Sequence, residues 1–166
     1  MAALFDSAYA DLKRLAHGRL YRSGGVSGLD TTSLVHESFL RLVDRGDLEL
    51  ADRNAFFGYV GRVMRSVLVD HVREQLAAKR GGRESFVTLT TDIEGEAISD
   101  ERLLAIDAAL DALERIAPAY RQLVEMRWFA GLSVREVAEL RGVSTRTVER
   151  EWEKARAFLQ RLIDEA

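Results

Sequence analysis

Between Ser133 and Trp152 the chain sets hydroxyl, guanidinium and carboxylate side chains at helical spacing, a combination suited to hydrogen bonding and ion pairing rather than to bond breaking. Ser133 followed three residues later by Glu136 is a capping box, which fixes where a short helix begins. Ala138 falls where two helices cross closely and only a small side chain fits. Gly142 comes just after that helix, where a left-handed residue turns the chain sharply. Ser144 caps the next helix, and Val137, Leu140, Val143, Val148 and Trp152 are expected to share one apolar face. Small residue, glycine and buried valine at these offsets give the shape of a helix-turn-helix, whose second helix enters a DNA major groove by its N-terminal part. Ser144, Thr145, Arg146, Thr147, Glu149 and Arg150 are then the candidates for contacts to base edges and phosphates, with Arg146 the first choice. Glu149 and Glu151 repel the phosphate backbone and point to modest DNA affinity for this segment alone. Trp152 shares a face with Val148 and is expected in the core rather than as a stacking platform.

Catalytic patterns are missing from the sequence. There is no His-Glu-x-x-His, no Gly-x-x-x-x-Gly-Lys phosphate loop and no Gly-x-Ser-x-Gly turn, so no catalytic residue is assigned and an enzyme is not expected. Gly81-Gly82 is too short to cradle a phosphate and reads as a hinge after a helix that ends at Arg80. His17, His36 and His71 are dispersed, and the chain has no cysteine, so neither a metal site nor a cofactor is expected.

The elements that must position these residues are helical. Leu34, Phe39, Leu40 and Val43, and again Leu103, Ile106, Leu110 and Leu113, recur at helical period. The single proline, Pro118, falls in a first helical turn, where its missing N–H costs nothing. Residues 81–99 hold Gly81, Gly82, Gly95, several threonines and many carboxylates with no sustained period, and read as a flexible acidic linker; Phe86, Val87, Leu89 and Ile93 could pack part of it on one neighbour. The expected fold is therefore all-α, with a helical domain at 1–80, a linker at 81–99 and a second helical domain at 100–166. Charge is unevenly distributed despite a net charge of only −3. Residues 84–114 carry nine carboxylates against Arg102 alone, whereas residues 121–161 carry nine basic residues against six glutamates, so the two regions have separate electrostatic jobs. No stretch reaches the roughly 18 apolar residues of a membrane span and the N-terminus has no signal core, which points to a cytoplasmic protein away from membranes.

Three segments together carry a resemblance. They are Thr-Thr-Ser-Leu-Val-His-Glu-Ser-Phe-Leu-Arg-Leu-Val at 31–43, the helical run Phe56 to Arg80 ending Val-Asp-His-Val-Arg-Glu-Gln-Leu-Ala-Ala-Lys-Arg, and Gly-Leu-Ser-Val-Arg-Glu-Val-Ala-Glu-Leu-Arg-Gly-Val-Ser at 131–144. In order and spacing they resemble the extracytoplasmic-function (ECF) sigma factors of the sigma-70 family over nearly the whole chain. The resemblance implies a first domain that melts and reads the minus-10 promoter element, a second that reads the minus-35 element, and core RNA polymerase and promoter DNA as partners. It places Val35, Glu37, Phe39 and Arg41 on or near a polymerase-docking surface. Arg65 and Ser66 stand where family members commonly carry Arg-Asn, and Arg62, Arg65, Ser66 and Arg73 are the minus-10 candidates, with Lys79-Arg80 closing a basic edge for phosphates. Of the nearby aromatics Phe56, Phe57 and Tyr59, an exposed one could stack an unpaired base, while Phe56 and Phe57 are expected in the core. A structural role is expected for His71.

The sequence departs from the family in one place. Most members have an acidic run, often Asp-Ala-Glu-Asp, before the docking helix, and here Asp30, Thr31, Thr32 and Ser33 stand instead. A phosphate on Thr31, Thr32 or Ser33, with Thr32 the first choice, restores about two negative charges at a helix N-terminus. That implies a serine/threonine kinase as a partner. The same three residues also suit plain helix capping. With no appended domain in view, control is expected from modification or from a second chain such as an anti-sigma factor. An alternative is a helix-turn-helix regulator that binds duplex operator DNA without polymerase; a third reading, a protein-binding adaptor, predicts no salt-dependent DNA affinity.

Overall fold

The computed structural model describes residues 31–44, 52–78, 86–88 and 97–166, with Ala10. In chain order its elements are α1 (Thr31–Asp44), α2 (Arg53–Ala78), β1 (Phe86–Thr88), β2 (Ala97–Ser99), α3 (Asp100–Ile116) and α4 (Pro118–Val124). A π turn (Glu125–Phe129), α5 (Val134–Arg141) and α6 (Thr145–Asp164) complete it.

α1 buries Leu34, Val35, Ser38 and Leu42 on one stripe against α2. Val35, expected on or near a docking surface, is therefore a core residue at 3% exposure, because it lies one position from Leu34 on the face turned to α2. The 26-residue α2 is the longest element and spans roughly 39 Å at 1.5 Å per residue. Asp52 starts it by accepting the Ala55 backbone N–H at 2.8 Å. Phe56 and Phe57 are buried, edge to face at 5.3 Å, as expected, and Tyr59 packs half-buried against the same cluster.

α2 is buried along most of its length because the C-terminal half closes on it. Gly58 and Gly61 make this possible. A Cβ on Gly61 would stand 2.5 Å from the Glu125 carbonyl oxygen, and one on Gly58 would stand 2.3 Å from Gln122 Nε2. Glycine at 61 lets the π turn lie directly on the α2 backbone, whereas the neighbour of Gly58 is the flexible end of the Gln122 side chain. One apolar cluster consequently runs from Leu34 through Met64 and Val67 to Leu110, Phe129 and Leu159. The two expected helical domains thus share a core.

α3 presents the expected Leu103, Ile106, Leu110 and Leu113 inward, all essentially inaccessible, each worth roughly 1.5–3 kcal/mol of burial before entropy is counted. Pro118 opens α4 as expected. In the π turn Ala130 donates to the Glu125 carbonyl at 2.9 Å, five residues back, and all five side chains of the turn are buried. The Trp128 and Trp152 rings meet edge to face with centroids 5.9 Å apart, Trp152 is buried in the core, and the Arg127 guanidinium lies 4.8 Å from the Trp152 centroid.

The segment 81–99 is not structureless throughout. Residues 86–88 and 97–99 pair antiparallel, Phe86 with Ser99, Val87 with Ile98 and Thr88 with Ala97, in a ribbon beside α3. Three-residue strands are too short to show the alternation by which a strand is read. Gly81, Gly82 and the acidic residues between the strands lie outside the described residues, as do Lys79 and Arg80.

Candidate nucleic-acid interface

α5 and α6 are positioned by local hydrogen bonds. Ser133 Oγ accepts the Glu136 N–H at 3.1 Å and the Glu136 carboxylate accepts the Ser133 N–H at 2.8 Å, closing the expected capping box. Gly142 has φ 64°, ψ 35°, and sends the chain into a two-residue turn before Ser144 caps α6 by accepting the Thr147 N–H at 3.1 Å. Arg141 and Glu151, 2.6 Å apart, tie the two helices together. α6 buries Val148, Trp152, Ala155 and Leu159, positions three or four apart. The opposite face holds Thr145, Arg146, Glu149 and Arg150, all exposed, with Ser144 exposed and Thr147 half-buried; its first turn carries no acidic residue. Val143, expected in the shared apolar face, is 38% exposed, because it sits in the turn after Gly142 rather than on either helix.

The candidates on α2 divide. Arg62 and Ser66 are exposed, and the Arg73 side chain is 61% exposed, reaching Asp107 at 3.3 Å. Arg65 is turned the other way. At 9% exposure it is buried, donating through Nε to Asp107 at 2.7 Å and through Nη1 to Glu125 at 2.9 Å, while Nη2 reaches Asp111. The expected exposed basic edge is therefore interrupted at Arg65, where the carboxylates of α3 and the π turn outcompete water. Burial works against the Arg65 charge, but hydrogen bonds and attraction from Asp107, Asp111 and Glu125 outweigh it and hold the guanidinium above its ordinary pKa. Glu125 is pushed up by burial, against the pull of Arg121, Arg65 and Arg62. Arg121 adds a second cation to Glu125 at 3.0 Å and also reaches Glu114. A cleft of about 540 Å³ runs beside this network, with Arg62, Ser66 and Arg73 of α2 facing Asp111, Glu114 and Arg115.

On α1, Glu37 is exposed and Phe39 half-buried. Arg41 reaches Glu37 at 3.4 Å, Asp70 at 2.9 Å and the Ser66 hydroxyl at 2.8 Å, so it fastens α1 to α2 while a third of it stays in solvent. Thr31, Thr32 and Ser33 occupy the first turn of α1, which contains no acidic residue; Ser33 is exposed, and the side chains of Thr31 and Thr32 lie outside the described residues. Sequence reasoning assigned no role in the site to Asp107, Asp111, Glu125, Gly58 and Gly61. The signals present were the carboxylate excess before residue 114 and two glycines three apart in a helical pattern.

Among the described residues no group of side chains is arranged to hold a metal ion, and no helix is long and apolar enough to cross a membrane. The class these features define is a predominantly helical protein with exposed arginines on α2 and α6. The family model for the ECF sigma factor matches residues 1–165, and the chain belongs to that family. ECF sigma factors are transcription initiation factors, not enzymes, and membership implies core RNA polymerase and promoter DNA as partners. No curated protein and no solved structure matches the chain.

Proposed function

We propose that this sigma factor uses α5 and α6 as a helix-turn-helix for the minus-35 element, α2 for the minus-10 element and α1 for docking on core polymerase, and that phosphorylation in the first turn of α1 switches docking on. Ser144, Thr145, Arg146, Thr147, Glu149 and Arg150 read or hold the minus-35 DNA; Arg62, Arg65, Ser66 and Arg73 serve the minus-10 region; Glu37, Phe39 and Arg41 face polymerase, with Val35 supporting them from the core.

The observation that carries the switch is the composition of the α1 N-terminus, with three hydroxyls and no carboxylate in the first turn. A helix N-terminus presents unpaired N–H groups and a positive dipole end, so an anion there is stabilised. Phosphate supplies that charge reversibly, through a serine/threonine kinase acting on Thr32, or on Thr31 or Ser33. An anti-sigma partner is compatible with this scheme but not required by it.

The test is capture of core RNA polymerase by the wild type, by Thr31→Asp/Thr32→Asp/Ser33→Asp and by the triple alanine variant. The acidic variant is expected to bind about tenfold more tightly than the wild type, the size of effect that helix-terminal and paired charges produce. Equal capture by all three, or full transcription in cells from the triple alanine variant, refutes the switch. Promoter binding by the chain alone, unaffected by polymerase, would favour a regulator of duplex operators.

A further inference from the structure

We infer that Arg41 of α1 is a positioning residue for promoter contact: it fixes the Ser66 hydroxyl of α2 as a hydrogen-bond donor toward promoter DNA and covers Asp70, the carboxylate on the same face. This rests on the proposed role of α2 at the minus-10 element, and it gives Arg41, assigned above to polymerase docking, a second task.

Arg62, Ser66, Asp70 and Arg73 follow one another at steps of three or four along α2 and line one side of the cleft of about 540 Å³, so they share a face. Arg62 and Arg73 are cations of the kind that hold a phosphate backbone, and Ser66 stands exposed between them. Asp70 is the exception. Among the α2 residues lining the cleft it alone carries negative charge, which repels a polyanion.

Arg41 answers both features from the neighbouring helix. Its Nη1 donates to Ser66 Oγ at 2.8 Å and to the Asp70 carboxylate at 2.9 Å. A guanidinium has donors and no acceptor, so the serine oxygen must accept, and its own O–H is left to donate. A serine hydroxyl without such a partner offers either role. Held by Arg41, Ser66 presents a donor, which matches phosphate oxygens and the acceptor atoms of base edges. The Asp70 charge is meanwhile paired at contact distance. Burial opposes the Arg41 charge, yet hydrogen bonds and attraction from Asp70 and Glu37 outweigh it and hold the guanidinium above its ordinary pKa. Fastening α1 to α2 requires the Asp70 pair alone. The bond to an exposed hydroxyl, on the stripe assigned to the promoter, is what a purely structural staple does not call for.

The test uses the full chain with saturating core polymerase, so that docking is equal in every sample, and a DNA selected by the wild-type complex from a randomised pool. Ser66→Ala should bind this DNA about five- to tenfold more weakly, the effect of losing one hydrogen bond to a phosphate or base acceptor, while Ser66→Thr, which keeps the hydroxyl, should stay within about twofold of the wild type. Arg41→Ala should lose at least about tenfold, because Ser66 is no longer oriented and Asp70 is uncovered. Adding Ser66→Ala to Arg41→Ala should cost less than about twofold more, since the two side chains act as one unit. Adding Asp70→Asn to Arg41→Ala should recover about threefold, a rescue that a staple between helices would not give. Binding by Ser66→Ala equal to that of the wild type, losses that simply multiply in the double variant, or no recovery with Asp70→Asn each overturn the inference. Across a set of minus-10 substitutions, a uniform Ser66→Ala loss assigns the acceptor to a phosphate and a loss confined to one base pair assigns it to a base edge; either supports the donor role. If the wild-type complex selects no DNA at all, it is the proposed function that fails, and that result is read before any variant is compared.

Discussion

α2 and α6 are both long helices with arginines at helical spacing, yet the structure treats them oppositely. On α6, Arg146 and Arg150 stand exposed beside a serine-capped first turn, and the buried face is purely apolar. On α2, Arg62 and Arg73 reach solvent while Arg65, between them, is enclosed by carboxylates lying 42, 46 and 60 residues further along the chain. Residue type and local period are the same in the two cases. The fate of an arginine is decided by what the fold brings against it, so two arginine-bearing helices are an open surface in one place and a closed joint in the other.

That contrast can be broken most forcefully at Arg65. Arg65→Ala takes a buried cation from both Asp107 and Glu125, leaving them only Arg73 and Arg121, and breaking a buried ion pair from one side costs about 3–5 kcal/mol. Denaturant unfolding should show a midpoint far below that of the wild type. Arg146→Ala, by contrast, should leave the unfolding midpoint unchanged and cost about 1–3 kcal/mol in binding of the polymerase complex to minus-35 DNA, measured by titration at fixed salt. If both variants behaved alike in both assays, the division between open and closed helix would be lost. Removing the α6 cap with Ser144→Ala should cost about 1 kcal/mol of stability, since Thr147 N–H loses its side-chain acceptor and keeps only the Ser144 carbonyl.

The smallest effect is expected at Glu125. Because burial raises its folded pKa above the unfolded value, its contribution to stability is fully present below the unfolded pKa and is lost as pH rises through the folded one. Stability should therefore decline across the interval between those two values. Glu125→Gln keeps an acceptor for Arg65 and Arg121 while removing the titration, and should flatten that decline in a series of unfolding curves against pH. A decline unchanged in the variant would assign the pH dependence to other groups.

What was legible beforehand was local. The Ser133–Glu136 capping box, Gly142 as a left-handed terminator, Pro118 at the start of α4 and the Val148–Trp152 face all depend on residues within four positions of one another, and each stands as read. The misreadings share a different cause. Val35 was expected on or near a docking surface by analogy, whereas the α1 stripe containing Leu34 turns it onto α2. Val143 was given to the apolar face, although the turn that Gly142 creates lifts it into solvent. The ribbon of residues 86–88 and 97–99 pairs segments too short to carry a period, and the Arg65 clasp joins residues whose proximity is a property of the tertiary fold. The carboxylate excess around Asp107 and Asp111 was visible in the sequence; that it had a partner inside the same chain was not.

The central claim, that the C-terminal half closes over α2 in the free protein, is tested most directly by small-angle X-ray scattering of the wild-type chain. A closed 166-residue chain should give a radius of gyration near the compact value of about 15 Å. A radius well above that value, unaltered by Asp107→Asn/Asp111→Asn, would mean that the halves are apart already and that Arg65 is not held by them.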